Sequence, residues 1–211
     1  MLLKIPLSVV AITLALLVCS GCVAPERVPS TYHGQPYLGK TKEIPGTLSC
    51  IRYDEGGEGI AYHDRDRTNL AAVCCGSTFR VNEGVDVGII ADHHKSLGAP
   101  LDPRQNYVGW IFEGEWIRYT VRVKQGGMYQ VNAHMSSANT NCQIRLLAND
   151  RDISGPVSVP RPTKDVHLWD VYTNLTRLKL KAGVQVLTLK FSKGQNGDQN
   201  YDCFEFVPAP R

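Results

Sequence analysis

The sequence predicts an all-β fold, an antiparallel β-sandwich. Three observations carry that reading. Apolar and polar residues alternate with a period of two in several short runs, Gly and Pro punctuate between the runs, and no helical apolar stripe of any length follows the leader. Residues 116–123 read W-I-R-Y-T-V-R-V, so Ile117, Tyr119, Val121 and Val123 point one way and Arg118, Thr120 and Arg122 the other. Residues 129–135 alternate in the same manner, and residues 143–147 form a third run closed by the turn pair Asn149-Asp150. Residues 175–180 follow, then the break Ala182-Gly183, then residues 184–191, and residues 201–207 make the last strand. One half-polar face per sheet is what an antiparallel sandwich presents to water.

Composition bounds the rest. The chain has 211 residues, 43% of them hydrophobic and 20% charged, with a net charge of +3. That suffices for one globular domain plus extensions and is too short for a large two-domain enzyme. The charge is too small and too scattered for a nucleic-acid binder, so no nucleic-acid partner is expected. Apolar content with low net charge excludes a disordered chain.

Residues 1–21 have the layout of a signal peptide. Lys4 precedes an apolar run over residues 7–18, shorter than the roughly 20 residues of a spanning helix. Ser20-Gly21-Cys22 resembles a bacterial lipobox, although Cys19 stands where that motif usually has Leu. The resemblance makes Cys22 the lipidation site and the membrane a partner through a lipid anchor at the cell envelope. The alternative is cleavage after Ala24 and plain secretion. Residues 22–43 carry Pro25, Pro29 and Pro36 with few apolar residues, and read as a flexible tether before a folded unit over residues 44–208.

Within the folded part an ordered set of short motifs resembles carbohydrate-binding module family 6. It comprises Pro36-Tyr37-Leu38-Gly39 and Ile44-Pro45-Gly46-Thr47, then residues 53–64 (YDEGGEGIAYHD), Phe79-Arg80 and Gly84-Val85-Asp86-Val87. Tyr107-Val108-Gly109-Trp110-Ile111, Gly114-Glu115-Trp116-Ile117, Tyr119-Thr120-Val121 and Gly127-Met128-Tyr129 come next, and Trp169, Ala182-Gly183 and Asn200-Tyr201-Asp202 close the series. The resemblance implies a jelly-roll sandwich that binds a polysaccharide or glycan and performs no catalysis.

A sugar site wants an aromatic platform and a few polar side chains that donate and accept hydrogen bonds. By the resemblance Phe79 is the first aromatic, Asn200 the amide near the C-terminus, and the acid lies in the His63-Asp64-Arg65-Asp66 loop, as Asp64 or Asp66. The family's second aromatic falls on Val166, which cannot stack, and His167 beside it is the candidate substitute. The family also uses a second cleft, whose residues are not placed by this sequence. The loss at Val166 keeps an alternative function open, a structural or protein-interaction sandwich with a degenerate sugar site.

The resemblance further implies a structural calcium held by a Glu-Ala-Glu segment and an Asp. Here those positions are Ser49-Cys50-Ile51 and Asp202, and calcium wants six to eight oxygens, so the site is expected to be lost, leaving no metal and no cofactor. The family's first and last strands run close together, which makes a Cys50–Cys203 disulfide the expected replacement. Cys74, Cys75 and Cys142 remain, an odd set, and Cys74-Cys75 lacks zinc-type spacing.

Other residues have plainer readings. Trp110 and Trp116 are both tempting as sugar platforms, Trp116 and Trp169 read as core, Phe79 is open between platform and packing, and Arg80 reads as a structural ion-pair partner. His93-His94 with Asp92 reads as a solvated loop rather than a metal site. Glu113 and Glu115 resemble a glycosidase pair only in spacing, since Glu115 belongs to the Gly-Glu-Trp strand start. No nucleophile elbow or nucleotide loop is present in the sequence, and Asn174-Leu175-Thr176 matches a glycosylation acceptor that a bacterial lipoprotein would not use.

Overall fold

The structure is a computed structural model that describes residues 24–91, 94–98, 100–102, 104–193 and 198–210. The leader, Cys22, Asp92 and His93 therefore lie outside the described residues. In chain order the strands are β1 (Lys42–Ile44), β2 (Gly46–Ser49), β3 (Tyr62–His63), β4 (Val87–Ile89) and β5 (Lys95–Ser96). Next come β6 (Asn106–Val108), β7 (Trp116–Val123), β8 (Gly127–Ser137), β9 (Gln143–Ala148) and β10 (Arg151–Asp152). The last are β11 (Val157–Ser158), β12 (Leu168–Leu180), β13 (Gly183–Lys193) and β14 (Gln199–Pro208). Among the described residues a 3-10 turn (Tyr37–Gly39) and one short α-helix, α1 (Leu70–Cys75), interrupt them, and periodicity could not reveal a helix of six residues.

Two seven-stranded sheets form. The first runs β1-β7-β13-β9-β10, with β3 added on β7 and β11 on β9; the second runs β4-β6-β14-β8-β12-β5, with β2 added on β14. Their inner faces meet in one core. Ile117, Tyr119, Val121 and Val123 of β7 are buried there, as the alternation predicts. Tyr129, Val131, Ala133 and Met135 face them from β8, and Tyr201, Phe204 and Phe206 from β14. A satellite cluster of Ile90, Tyr107 and Trp169 is separate from that core, with the Trp169 ring 5.3 Å from that of His134. Trp169 is fully buried, as expected of a core residue, and its indole N–H donates to His94 Nδ1 at 2.8 Å.

Three expectations are corrected. Residues 24–43 do not hang free: Glu26 pairs with Arg151 and Lys181 and bridges to Gly183, Gln35 bridges to Glu55, and the Tyr32 hydroxyl donates to Asp54 at 2.6 Å. Pro-rich composition disfavours a strand ladder, yet these isolated polar contacts hold the segment on the sandwich. Second, Cys50 and Cys203 are both free, and the disulfide joins Cys74 to Cys75 at the end of α1. Cys203 pairs with Ser49 and is turned outward by a bulge at Asp202, while Cys50, just past β2, is buried in the core. Third, Trp116 is only half-buried, with the Arg118 guanidinium 4.4 Å above its ring.

Candidate functional site

The cavity with the chemistry for a small polyol lies at the β4-β6 edge of the second sheet. Its volume is about 390 Å³, and its walls include Tyr107, Trp110, Val166, His167, His94 and Asn200. Tyr107 lies on β6, Trp110 just beyond it, Asn200 on the neighbouring β14, and Val166 and His167 on the approach to β12. The Tyr107 and Trp110 rings stack nearly parallel, 6° apart with centroids 6.2 Å apart. Tyr107 is buried, which pushes its phenol up to about 12, so it stays neutral and backs the half-buried indole.

Two glycines make this packing possible. A Cβ on Gly88 would lie 2.6 Å from Tyr107 Cζ, and one on Gly109 would lie 2.5 Å from Asn200 Oδ1. Both positions admit only a bare backbone against the rings and the amide. Asn200 is itself anchored, its Nδ2 donating to the Val166 carbonyl at 2.9 Å, while the Ser136 hydroxyl donates to the same oxygen at 2.6 Å. The indole N–H of Trp169 is a donor only, so it makes His94 Nδ1 an acceptor and puts the proton of a neutral His94 on Nε2. That nitrogen lies 3.1 Å from His167 Nδ1 and donates to it. The two imidazoles are thereby ordered along one wall.

The sequence-derived residues fall in two places. Asn200 and His167 meet in this cavity, together with Val166. Phe79 does not line it; the ring packs against the core edge, 6.2 Å from the Tyr37 ring. Arg80 next to it pairs with Glu83 and donates to the carbonyls of Tyr53 and Asp54, the structural role expected. Trp110, and not Phe79, is the aromatic beside Tyr107 that lines this cavity. The signal for it was present in the Tyr-Val-Gly-Trp run, where Gly separates two aromatics that then share one side. Cys75, carrying half of the disulfide, also lines the cavity and was not foreseen, because α1 was not.

Asp64 and Asp66 lie elsewhere, with Asp86, their carboxylate oxygens within 4.8 Å of one another. Burial, then the charge of Glu115, pushes Asp64 up to about 8, and burial pushes Asp86 up to about 7. The backbone N–H groups of Asp66 and Leu70 donate to Asp64 and Asp86, so the carboxyls brace loops and the start of α1. Glu115 accepts from the backbone of Phe112 and Arg65 at 2.9 and 3.2 Å, a structural task that occupies both its oxygens.

The positions that match the family's calcium ligands, Ser49, Ile51 and Asp202, line a third region, where Lys42, Arg52 and Arg104 also converge. One carboxylate and one hydroxyl fall short of calcium, which takes six to eight oxygens, several of them anionic.

Residues 77–208 match the family described as carbohydrate binding module (family 6). Among solved structures the chain is similar to a family 6 module, CsCBM6-3, from Clostridium stercorarium in complex with cellobiose. The TM-score is 0.53 at 16% identity, over 81% of this chain and 99% of that one. A β-1,3-glucan-binding family 6 module from Bacillus halodurans gives a TM-score of 0.53 at 15% identity, over 81% of this chain and 100% of that one. An arabinoxylan arabinofuranohydrolase of glycoside hydrolase family 43 from Bacillus subtilis, in complex with cellotetraose, also gives 0.53, at 14% identity, over 81% of this chain but 28% of the enzyme. At such identities the likeness establishes the fold. The comparison with curated proteins gives no match.

Proposed function

The chain belongs to carbohydrate-binding module family 6, and from that premise we propose that its Trp110 cavity holds one sugar ring of a neutral β-glucan. The observation that carries the reading is the Trp110 indole, stacked on Tyr107 and edged by Asn200, His94 and His167. A pyranose offers an apolar C–H face that lies on an indole and equatorial hydroxyls that meet amide and imidazole groups at the ring's edge. The volume falls in the range of small-molecule sites, and among the described residues no Asp, Glu, Lys or Arg side chain lines the cavity, which suits an uncharged ligand. Val166, which lines the same cavity at the position of the family's second aromatic, cannot stack, so the ring is stacked on one face only. Binding is therefore weaker than an aromatic sandwich gives, by about ten- to a hundredfold if a stacking face contributes about 1–3 kcal/mol.

Within this reading the chain binds without catalysing, and a lipid on Cys22 displays it at the cell envelope. Affinity electrophoresis through gels of β-1,3- and β-1,4-glucan tests the binding. Retardation that Trp110→Ala abolishes, with an unchanged melting curve, is expected. A folded protein that no glucan retards would favour a structural or protein-interaction role. Fatty-acid labelling that Cys22→Ala removes is expected for the anchor; release of unlabelled protein by wild-type cells would argue for plain secretion.

A further inference from the structure

On the outer face of the second sheet three side chains of unlike chemistry converge. Tyr201 pairs with Met135 and Cys203 with His134, so the ladder between β14 and β8 slips by one residue and Asp202 is the extra one. A regular strand would send Asp202 and Cys203 to opposite faces. The bulge leaves both on the side of His134. One nitrogen of His134, one carboxylate oxygen of Asp202 and the thiol sulfur of Cys203 all lie within 4.8 Å of one another.

We propose that His134, Asp202 and Cys203 form a binding site for a zinc-type divalent ion. The proposal does not rest on the sugar reading, although the His134 ring lies 5.3 Å from that of Trp169, which holds His94 of the cavity wall. One imidazole, one carboxylate and one thiolate make up a donor set that zinc accepts, at about 2.0–2.3 Å per ligand, and that calcium does not. Donors on one tetrahedral ion stand roughly 3.3–3.8 Å apart by the same bond lengths, so an ion would replace the direct 2.8 Å Nδ1–Oδ2 contact and draw together donors that lie within 4.8 Å of one another.

The surroundings agree with an ion. The His134 and Asp202 side chains are 10% and 8% exposed, joined by a 2.8 Å contact between Nδ1 and Oδ2. The other ring nitrogen, Nε2, is buried and makes no hydrogen bond among the described residues, and it would carry the imidazole proton once Nδ1 binds the ion. Two of the three residues are only partly buried, and a divalent cation would match a carboxylate and a thiolate together. The fourth coordination position opens to a cavity of about 280 Å³ that also holds Asn132, Gln105 and Glu205, room for a water or a donor from a ligand. Binding exchanges the thiol proton of Cys203 for the metal: the S–H bond breaks, the S–metal bond forms, and one proton leaves to solvent.

Cobalt(II) serves as the optical probe on the full-length chain, freed of metal and kept without reductant. A thiolate-to-cobalt charge-transfer band that saturates at one equivalent and is displaced by zinc is expected. Cys203→Ser should abolish it while the metal-free variant melts as the wild type does. His134→Gln is the second variant: it keeps the thiol, so the band should weaken at least tenfold in apparent affinity. No band in the wild type, or a band that survives Cys203→Ser at full strength, would overturn the assignment.

Discussion

Replacing Gly109 by alanine tests the architecture of the cavity with a single methyl group. The added carbon would sit 2.5 Å from Asn200 Oδ1 and 2.8 Å from Tyr107 Cε2. Neither neighbour is a loose side-chain end. The Asn200 amide is tied to the Val166 carbonyl at 2.9 Å, and the Tyr107 ring is packed between Trp110 and Trp169. Contacts of this kind require shifts of roughly an ångström, and overpacking a well-filled site costs about 1–3 kcal/mol. For a domain of this size each kcal/mol lowers the melting temperature by about 2–4 °C. Gly109 lies outside the left-handed region, so the effect comes from the collision and not from backbone strain. Moving Asn200 and tilting the Tyr107-Trp110 stack should also weaken glucan retention by about tenfold or more, as 1.4 kcal/mol corresponds to one decade. Calorimetric melting and glucan affinity electrophoresis on Gly109→Ala read both quantities. A variant that melts and binds like the wild type would show that the amide and the ring stack do not meet over this glycine.

Other outcomes follow from the same coordinates. Asp64 titrates at about 8 in the folded state against about 3.9 when unfolded, so between those values the folded chain holds a proton the unfolded chain has lost, and this carboxyl's contribution to stability falls as pH rises. Asp64→Asn should therefore gain on the wild type in urea melts from pH 5 to pH 8; a constant difference would refute the buried acid. Tyr32→Phe removes a 2.6 Å bond to Asp54, which also accepts from Thr120, and should cost about 1.5–3 kcal/mol in the same assay. A negligible change would return residues 24–43 to the role of a loose tether. Alkylation after denaturation without reductant, followed by peptide mass mapping, should label Cys50, Cys142 and Cys203 and leave Cys74 and Cys75 linked.

The legible part of this molecule is the part governed by a period of two. Alternation placed Ile117, Tyr119, Val121 and Val123 in the core because one sheet face is wet and the other dry, and the structure buries all four. The site was legible where a residue is held by its own strand: Asn200 on β14 and His167 beside β12 arrive together because neighbouring β8 fixes both strands. It was not legible where two loops decide. Phe79 follows α1, and α1 is stabilised by the Asn69 cap and by Asp86 accepting from Leu70, contacts no periodicity reports. With the helix there, Phe79 packs beside Tyr37, and the free edge of the cavity is left to Trp110. The cysteines failed for a related reason. Nearness of two strands does not decide whether two side chains share a face; a single bulge at Asp202 does, and it turns Cys203 away from Cys50 and toward His134. The same local slip that removes the expected disulfide thus creates the grouping of thiol, carboxylate and imidazole, so the two outcomes stand or fall on one feature of β14.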